Sequence, residues 1–133
     1  MTDLTADKRL LDKQWRMDHL YKISTKDSRL VQFKRNRAQR HFAKNKHTRN
    51  IILKSRQLGF TTDECIDTLD DALFTRNFQA LILSYDQDSS YKIFGDKIRL
   101  AWANFPLAQL YKVDAERADS LKVDFEEELF VRL

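Results

Sequence analysis

The sequence predicts an α/β fold: a parallel sheet with flanking helices, finished by a β-hairpin. Three observations predict it. "NIILK" (Asn50 to Lys54) and "FQALILSY" (Phe78 to Tyr85) are short apolar runs rich in branched residues, as in buried strands. Each is followed by a stretch with helical apolar spacing. The order strand, helix, strand, helix then implies a right-handed crossover.

The 133 residues suffice for one domain with a core. Segment 1–49 reads as helical, and segment 50–133 as the first half of the α/β core. Both are treated as one truncated domain. At 42% hydrophobic and 33% charged residues, the composition is that of a globular protein. No apolar run approaches the roughly 20 residues of a membrane span, and "MTDLTADKRLLDKQW" lacks a signal-peptide apolar core. The single cysteine, Cys65, excludes an internal disulfide and a multi-cysteine zinc site. Its helix position could lower its pKa, but packing as a small apolar residue is the simpler reading. His19, His41 and His47 are dispersed and do not suggest a metal site.

Taken in order, Leu10, Leu11, Trp15, Met17, Leu20 and Tyr21 predict a helix over 7–23. "RLVQF" (Arg29 to Phe33) predicts a short strand. Asn36 is placed to cap a helix through Gln39, Phe42 and Ala43. After "NIILK", Thr61 or Thr62 opens a helix with Asp63 and Glu64 in its first turn, where the helix dipole favours acids. Ile66, Leu69, Ala72 and Leu73 form its apolar stripe, and Arg76 and Asn77 suit its end. Ser84 or Asp86 starts the next helix, which carries Tyr91 to Trp102 and stops at "NFP". "SLKVDFEEELFVRL" alternates around acidic residues like the two strands of a hairpin.

Charge is uneven. Eight cations (Arg29, Lys34, Arg35, Arg37, Arg40, Lys44, Lys46 and Arg49) occur from 29 to 49 with no Asp or Glu between them. Such a segment either attracts phosphate backbones or is a solvated helix face.

The stretch between "NIILK" and its helix has the elements of a phosphate-binding loop. Such a loop needs converging N–H groups at a helix N-terminus, a glycine for the tight turn, a hydroxyl for Mg²⁺ and a cation for the outer phosphates. Gly59 is the only glycine among the first 94 residues. Thr61 and Thr62 supply hydroxyls, and the one assigned to Mg²⁺ is that of Thr61. Phe60 stands where lysine is usual, so Lys54 or Arg56 must bring the charge. Lys54 could lie over the phosphates, whereas Arg56 could contact one in forked geometry or act as a finger on transition-state charge. An ordinary βα turn is the plain alternative.

"KSRQLGFTT" (Lys54 to Thr62) resembles the variant phosphate loop of large terminase subunits, the DNA-packaging motors of tailed bacteriophages. The resemblance implies that Lys54, Ser55, Arg56, Gln57, Leu58, Gly59, Phe60, Thr61 and Thr62 hold the phosphates of ATP. Lys54 and Arg56 would be the catalytic cations. Upstream, Phe33, Asn36 and Gln39 resemble the family's adenine motif, F-x-x-N-x-x-Q, with Arg37 where proline is frequent. Gln39 would read the adenine edge, its amide donating and accepting at once, with Phe33 or Tyr21 near the base. "ALILSYDQDSSYKIFGDKIRLAW" (Ala80 to Trp102) resembles the strand and helix that follow the loop, so the likeness runs from about Trp15 to the end.

The resemblance further implies a P-loop NTPase-like fold, ATP and Mg²⁺ as cofactors, and double-stranded DNA, a portal and a small terminase subunit as partners. It also implies the cytoplasm of a bacterial host. An apolar strand ending in Asp-Glu, needed to hold Mg²⁺ and activate water, does not occur: "TDECID", "IDTLDD" and "FEEELF" do not fit. The chain is therefore expected to be an N-terminal piece of such a motor, one that binds ATP weakly or not at all and does not turn it over. With "NIILK" as an open sheet edge, homo-oligomers or a rearranged packing are expected. The alternatives are a non-enzymatic nucleic-acid-binding module, or a packaging-assembly element, using 29–49.

Overall fold

The computed structural model describes residues 8–55, 59–75, 77–116 and 121–125. A 3₁₀ turn, Lys8–Leu11, leads into α1, Lys13–His19. Asp12 caps α1 by accepting from the Gln14 N–H. The predicted helix over 7–23 thus ends early, because Lys22–Ser24 forms β1 and pairs antiparallel with β2, Leu30–Gln32. The turn between them places Ser28 in the left-handed region, at φ 59°. β2 answers the strand expected at Arg29 to Phe33.

Helix α2, Arg37–Asn45, begins at Asn36 as expected. The cap is reciprocal: Asn36 accepts from the Gln39 N–H, and the Gln39 side chain accepts from the Asn36 N–H. Helix α3, Phe60–Phe74, begins one residue before the expected threonines, with Gly59 as its N-cap. Thr75 caps its end, and Asn77 reverses the chain at φ 53°.

The next helix starts on Asp86, which accepts from the Ser89 N–H. It runs as α4, Gln87–Ile93, then a π-helical stretch, Phe94–Arg99, then α5, Leu100–Ala103. The wider stretch contains Gly95, whose position leaves open space around a would-be Cβ. A 3₁₀ turn, Ala108–Leu110, precedes β3, Tyr111–Glu116, which pairs antiparallel with β4, Leu121–Phe125. A hairpin exists, but not the expected one: "LKVDF" pairs with the upstream "YKVDAE" as its first strand, and the expected partner within residues 126–133 lies outside the described residues.

The expected parallel sheet is not found among the described residues. The sheets are two antiparallel pairs, β1–β2 and β3–β4. Residues 51–55 and 78–84 have no strand pairing. Ile51 and Leu53 are fully exposed, and Leu81 and Leu83 are each 81% exposed. The physical reason is that a parallel strand needs neighbours in its ladder and cover on both faces. Neither run has them here. The fold is mixed α/β, mostly helical.

The core gathers residues from the whole described chain around α3. Leu10, Met17, Leu20, Tyr21 and Phe33 meet Ile66, Leu69 and Leu73 of α3, and Ile98, Ala101 and Trp102 of the later helix. Phe105, from the "NFP" stop, stacks on Tyr21 and Trp102 and contacts Phe74 and Tyr111. The Tyr111 hydroxyl donates to the Leu73 carbonyl at 2.7 Å, tying β3 to the end of α3. Cys65 packs in this core, and burial pushes its thiol up to about 11. No helix of the described residues is long and apolar enough to cross a membrane.

Candidate functional site: the Gly59 turn and the charged interior of α3

Gly59 lies at φ 76° and ψ 14°, a left-handed conformation that side chains disfavour. No side chain caps the helix that follows. The first N–H groups of α3, which have no carbonyl one turn back, therefore face the turn, with no side-chain acceptor among the described residues. With the positive end of the helix dipole, that is an arrangement suited to an anion.

Gln39 meets this turn directly. Gln39 Nε2 donates to the Gly59 carbonyl at 2.8 Å. A Cβ on Gly59 would stand 2.7 Å from that nitrogen. Asn36, Gln39 and Gly59 thus form one unit, although 20 residues separate the bonded pair. Both ends of the Gln39 amide are engaged, the oxygen by Asn36 and the nitrogen by Gly59.

Phe60, in the usual lysine seat, is buried and meets Phe42 of α2 edge-on, with ring centres 5.8 Å apart. An aromatic here closes the joint between α2 and α3. Thr61 is exposed and Thr62 half-buried; Lys54 and Ser55 are exposed in the irregular segment before the turn. Arg56, Gln57 and Leu58 lie outside the described residues. Phe33 and Tyr21 sit inside the core and offer no open face to a base.

Sequence reasoning missed a second constellation, on the other carboxylates of α3. Asp63, Asp67 and Asp70 follow helical spacing, yet all three are buried. Each is met by cations from the N-terminal segment. Arg16 grips Asp70 with two parallel bonds, 3.0 and 2.9 Å, and donates a third to the Leu10 carbonyl. Tyr21 donates to Asp70 at 2.5 Å. Burial, with the charge of Asp70, pushes the Tyr21 hydroxyl well above its ordinary range. Arg16 also lies over the Phe74 ring, 4.3 Å from its centre.

Arg35 donates to Asp63 at 2.6 Å and reaches Asp67 at 3.4 Å. Lys13 and Lys46 each stand 2.7 Å from Asp67, and extend to Asp71 and Glu64 respectively. Burial raises the Asp67 carboxyl, but the hydrogen bonds and charges of Lys13 and Lys46 outweigh it and hold it below the usual carboxylate range. At Asp63 burial wins over Arg35 and the carboxyl is raised. Asp63 Oδ2 is buried with no hydrogen-bond partner, which accords with that direction.

The signal for this network was present: a stripe of acids on one predicted helix and an acid-free basic run upstream. What the sequence lacked was their pairing. Arg35 and Lys46 belong to the 29–49 run, so that run is neither wholly a solvated face nor wholly available to a partner. Among the described residues no group of three or more His, Cys, Asp or Glu side chains is arranged to hold a metal ion.

No protein-family model, no curated protein and no solved structure matches this chain.

Proposed function

We propose that the chain is the nucleotide-binding, N-terminal part of a tailed-bacteriophage terminase large subunit, whose full motor drives double-stranded DNA into a capsid with ATP. The observation that carries this reading is the bond from Gln39 to the Gly59 carbonyl. It joins the two stretches that resemble the family, and it does so at an uncapped helix N-terminus.

In this reading the first N–H groups of α3 receive the phosphates. The Thr61 hydroxyl faces Mg²⁺, and Lys54 or Arg56 supplies the cation that Phe60 cannot. The bound nucleotide supplies a phosphoanhydride bond; these residues bind and orient it. Gln39 reads the adenine edge by exchanging its bond to Gly59 for one to the base. Base recognition and loop conformation are thereby linked through one side chain. A portal and a small terminase subunit are the remaining partners in this reading.

Titration of a fluorescent ATP analogue with Mg²⁺ tests it. Weak binding at most is expected of this chain and saturable binding of a longer one, weakened in Lys54→Ala, Arg56→Ala and Gln39→Ala. The reading fails if a longer chain that includes an apolar strand ending in Asp-Glu shows no saturable binding either.

A further inference from the structure

The contacts around the Gly59 turn close into a ring. Arg35 Nε donates to Asp63 Oδ1 at 2.6 Å. The Asp63 N–H donates to the Gly59 carbonyl at 3.0 Å. That same carbonyl accepts from Gln39 Nε2 at 2.8 Å. Gln39 Oε1 accepts from the Asn36 N–H at 2.8 Å, and Asn36 follows Arg35 in the chain. We propose that Arg35 and Asp63 are the positioning pair of this turn, holding residues 35–39 on the first turn of α3 while Gln39 leaves Gly59. The inference rests on the nucleotide reading above, in which that departure reads the adenine edge.

The first support is what remains when Gln39 leaves. The ring has two links between 35–39 and the start of α3, Gln39 to Gly59 and Arg35 to Asp63. Only the second then persists. Further along, Phe42 meets Phe60, and Lys46 reaches Asp67 and Glu64 at 2.7 and 2.9 Å. Helix α2 is thus held to α3 along its length, and the Gln39 side chain can move while the helix stays.

The second support is a contrast between two buried pairs on one helix. Arg16 closes a fork on Asp70, and the Tyr21 hydroxyl adds a further bond. Arg35 closes no fork on Asp63. Its Nη2 points to Asp67 instead, at 3.4 Å, and Asp63 Oδ2 is left buried without a partner among the described residues. A buried acceptor without a donor costs stability. The Arg35–Asp63 pair therefore keeps a fixed direction where a fork would be stronger.

Nuclear magnetic resonance of the nucleotide-free chain tests this. Arg35→Lys keeps the charge but loses the planar guanidinium. The Gln39 side-chain amide is then expected to shift toward that of free glutamine, and to exchange with water about fivefold faster, as for the loss of one hydrogen bond. Arg16→Lys damages the other pair. It is expected to lower stability at least as much and to leave the Gln39 amide in place. In Gln39→Ala the Arg35 Nε–H is expected to keep its slow exchange, because the pair does not depend on the side chain it positions. Should Arg35→Lys not fold, Asp63→Asn, which keeps the shape and an oxygen acceptor, is expected to move the Gln39 amide in the same direction. The proposal is overturned if the Arg35 and Arg16 variants move that amide equally, if neither Arg35→Lys nor Asp63→Asn moves it, or if the Arg35 Nε–H exchanges freely once Gln39 is gone. Failure of the nucleotide reading is seen separately, in the ATP titration.

Discussion

The interior face of α3 and the two apolar runs at 51–55 and 78–85 invert the usual distribution of residue types. Asp63 and Asp70 are fully buried, while Ile51 and Leu53 are fully exposed. The difference lies in partners. Each carboxylate on α3 has cations or hydroxyls within hydrogen-bond reach, which makes burial tolerable. Among the described residues the apolar runs have no ladder, and of their side chains Ile82 alone packs against the core, so their hydrophobicity alone does not bring them inside.

The largest test of this contrast is Asp70→Ala. It strands the buried Arg16 guanidinium and the Tyr21 hydroxyl, and a loss of about 3–5 kcal/mol is expected in urea unfolding. Removing both charges, as in Arg16→Met with Asp70→Leu, is expected to recover most of that loss. If the single and double variants are equally damaged, pairing is not what keeps the charge inside.

Next in size is Gly59→Ala. It imposes a side chain on a left-handed backbone and pushes on Gln39 Nε2. About 1–3 kcal/mol of destabilisation is expected. A nuclear magnetic resonance shift of the Gln39 side-chain amide would show that the bond to the turn has moved.

A smaller effect, readable by its sign, concerns pH. The Asp67 carboxyl is lowered in the fold, so over the interval between its folded and unfolded pKa values the unfolded chain binds more protons. Its stabilisation is present above the ordinary carboxylate range and is lost as pH falls through the lowered value. Asp67→Asn is therefore expected to destabilise at neutral pH, by a margin that shrinks in acid. The raised Asp63 has the opposite sign: stability falls as pH rises from its unfolded to its folded value. Urea midpoints measured across the acid range distinguish the two residues.

The smallest expected change in stability is at the exposed runs. Leu81→Ser with Leu83→Ser should stay within about 0.5 kcal/mol per site. It should, however, reduce self-association seen by light scattering at tens of micromolar. A wild type that is strictly monomeric there would remove the expectation of homo-oligomers.

Elements whose signals are local were legible in the sequence. Asn36 capped α2, Asp86 capped α4, and the apolar stripe of α3 marked its length to within a residue or two. Gly59 and Gln39 were legible as separate motifs, but their contact was not. What failed depended on distant partners. "NIILK" and "FQALILSY" read as strands because their composition fits one, but a strand exists only when another is bonded to it. "KIS" (Lys22 to Ser24) and "YKVDAE" are strands for that reason despite weak composition. The buried carboxylates were illegible for a related reason. Hydropathy places an aspartate outside, and only the fold shows that an arginine waits for it inside.

Phe60 closes the seam between α2 and α3 by meeting Phe42 edge-on. One side chain cannot both seal a joint and swing out to an anion. A lysine at this position would add a charge to the turn while opening the seam that holds Gln39 over it. A lysine here would therefore need two coordinated changes, a new plug between the helices as well as the new cation.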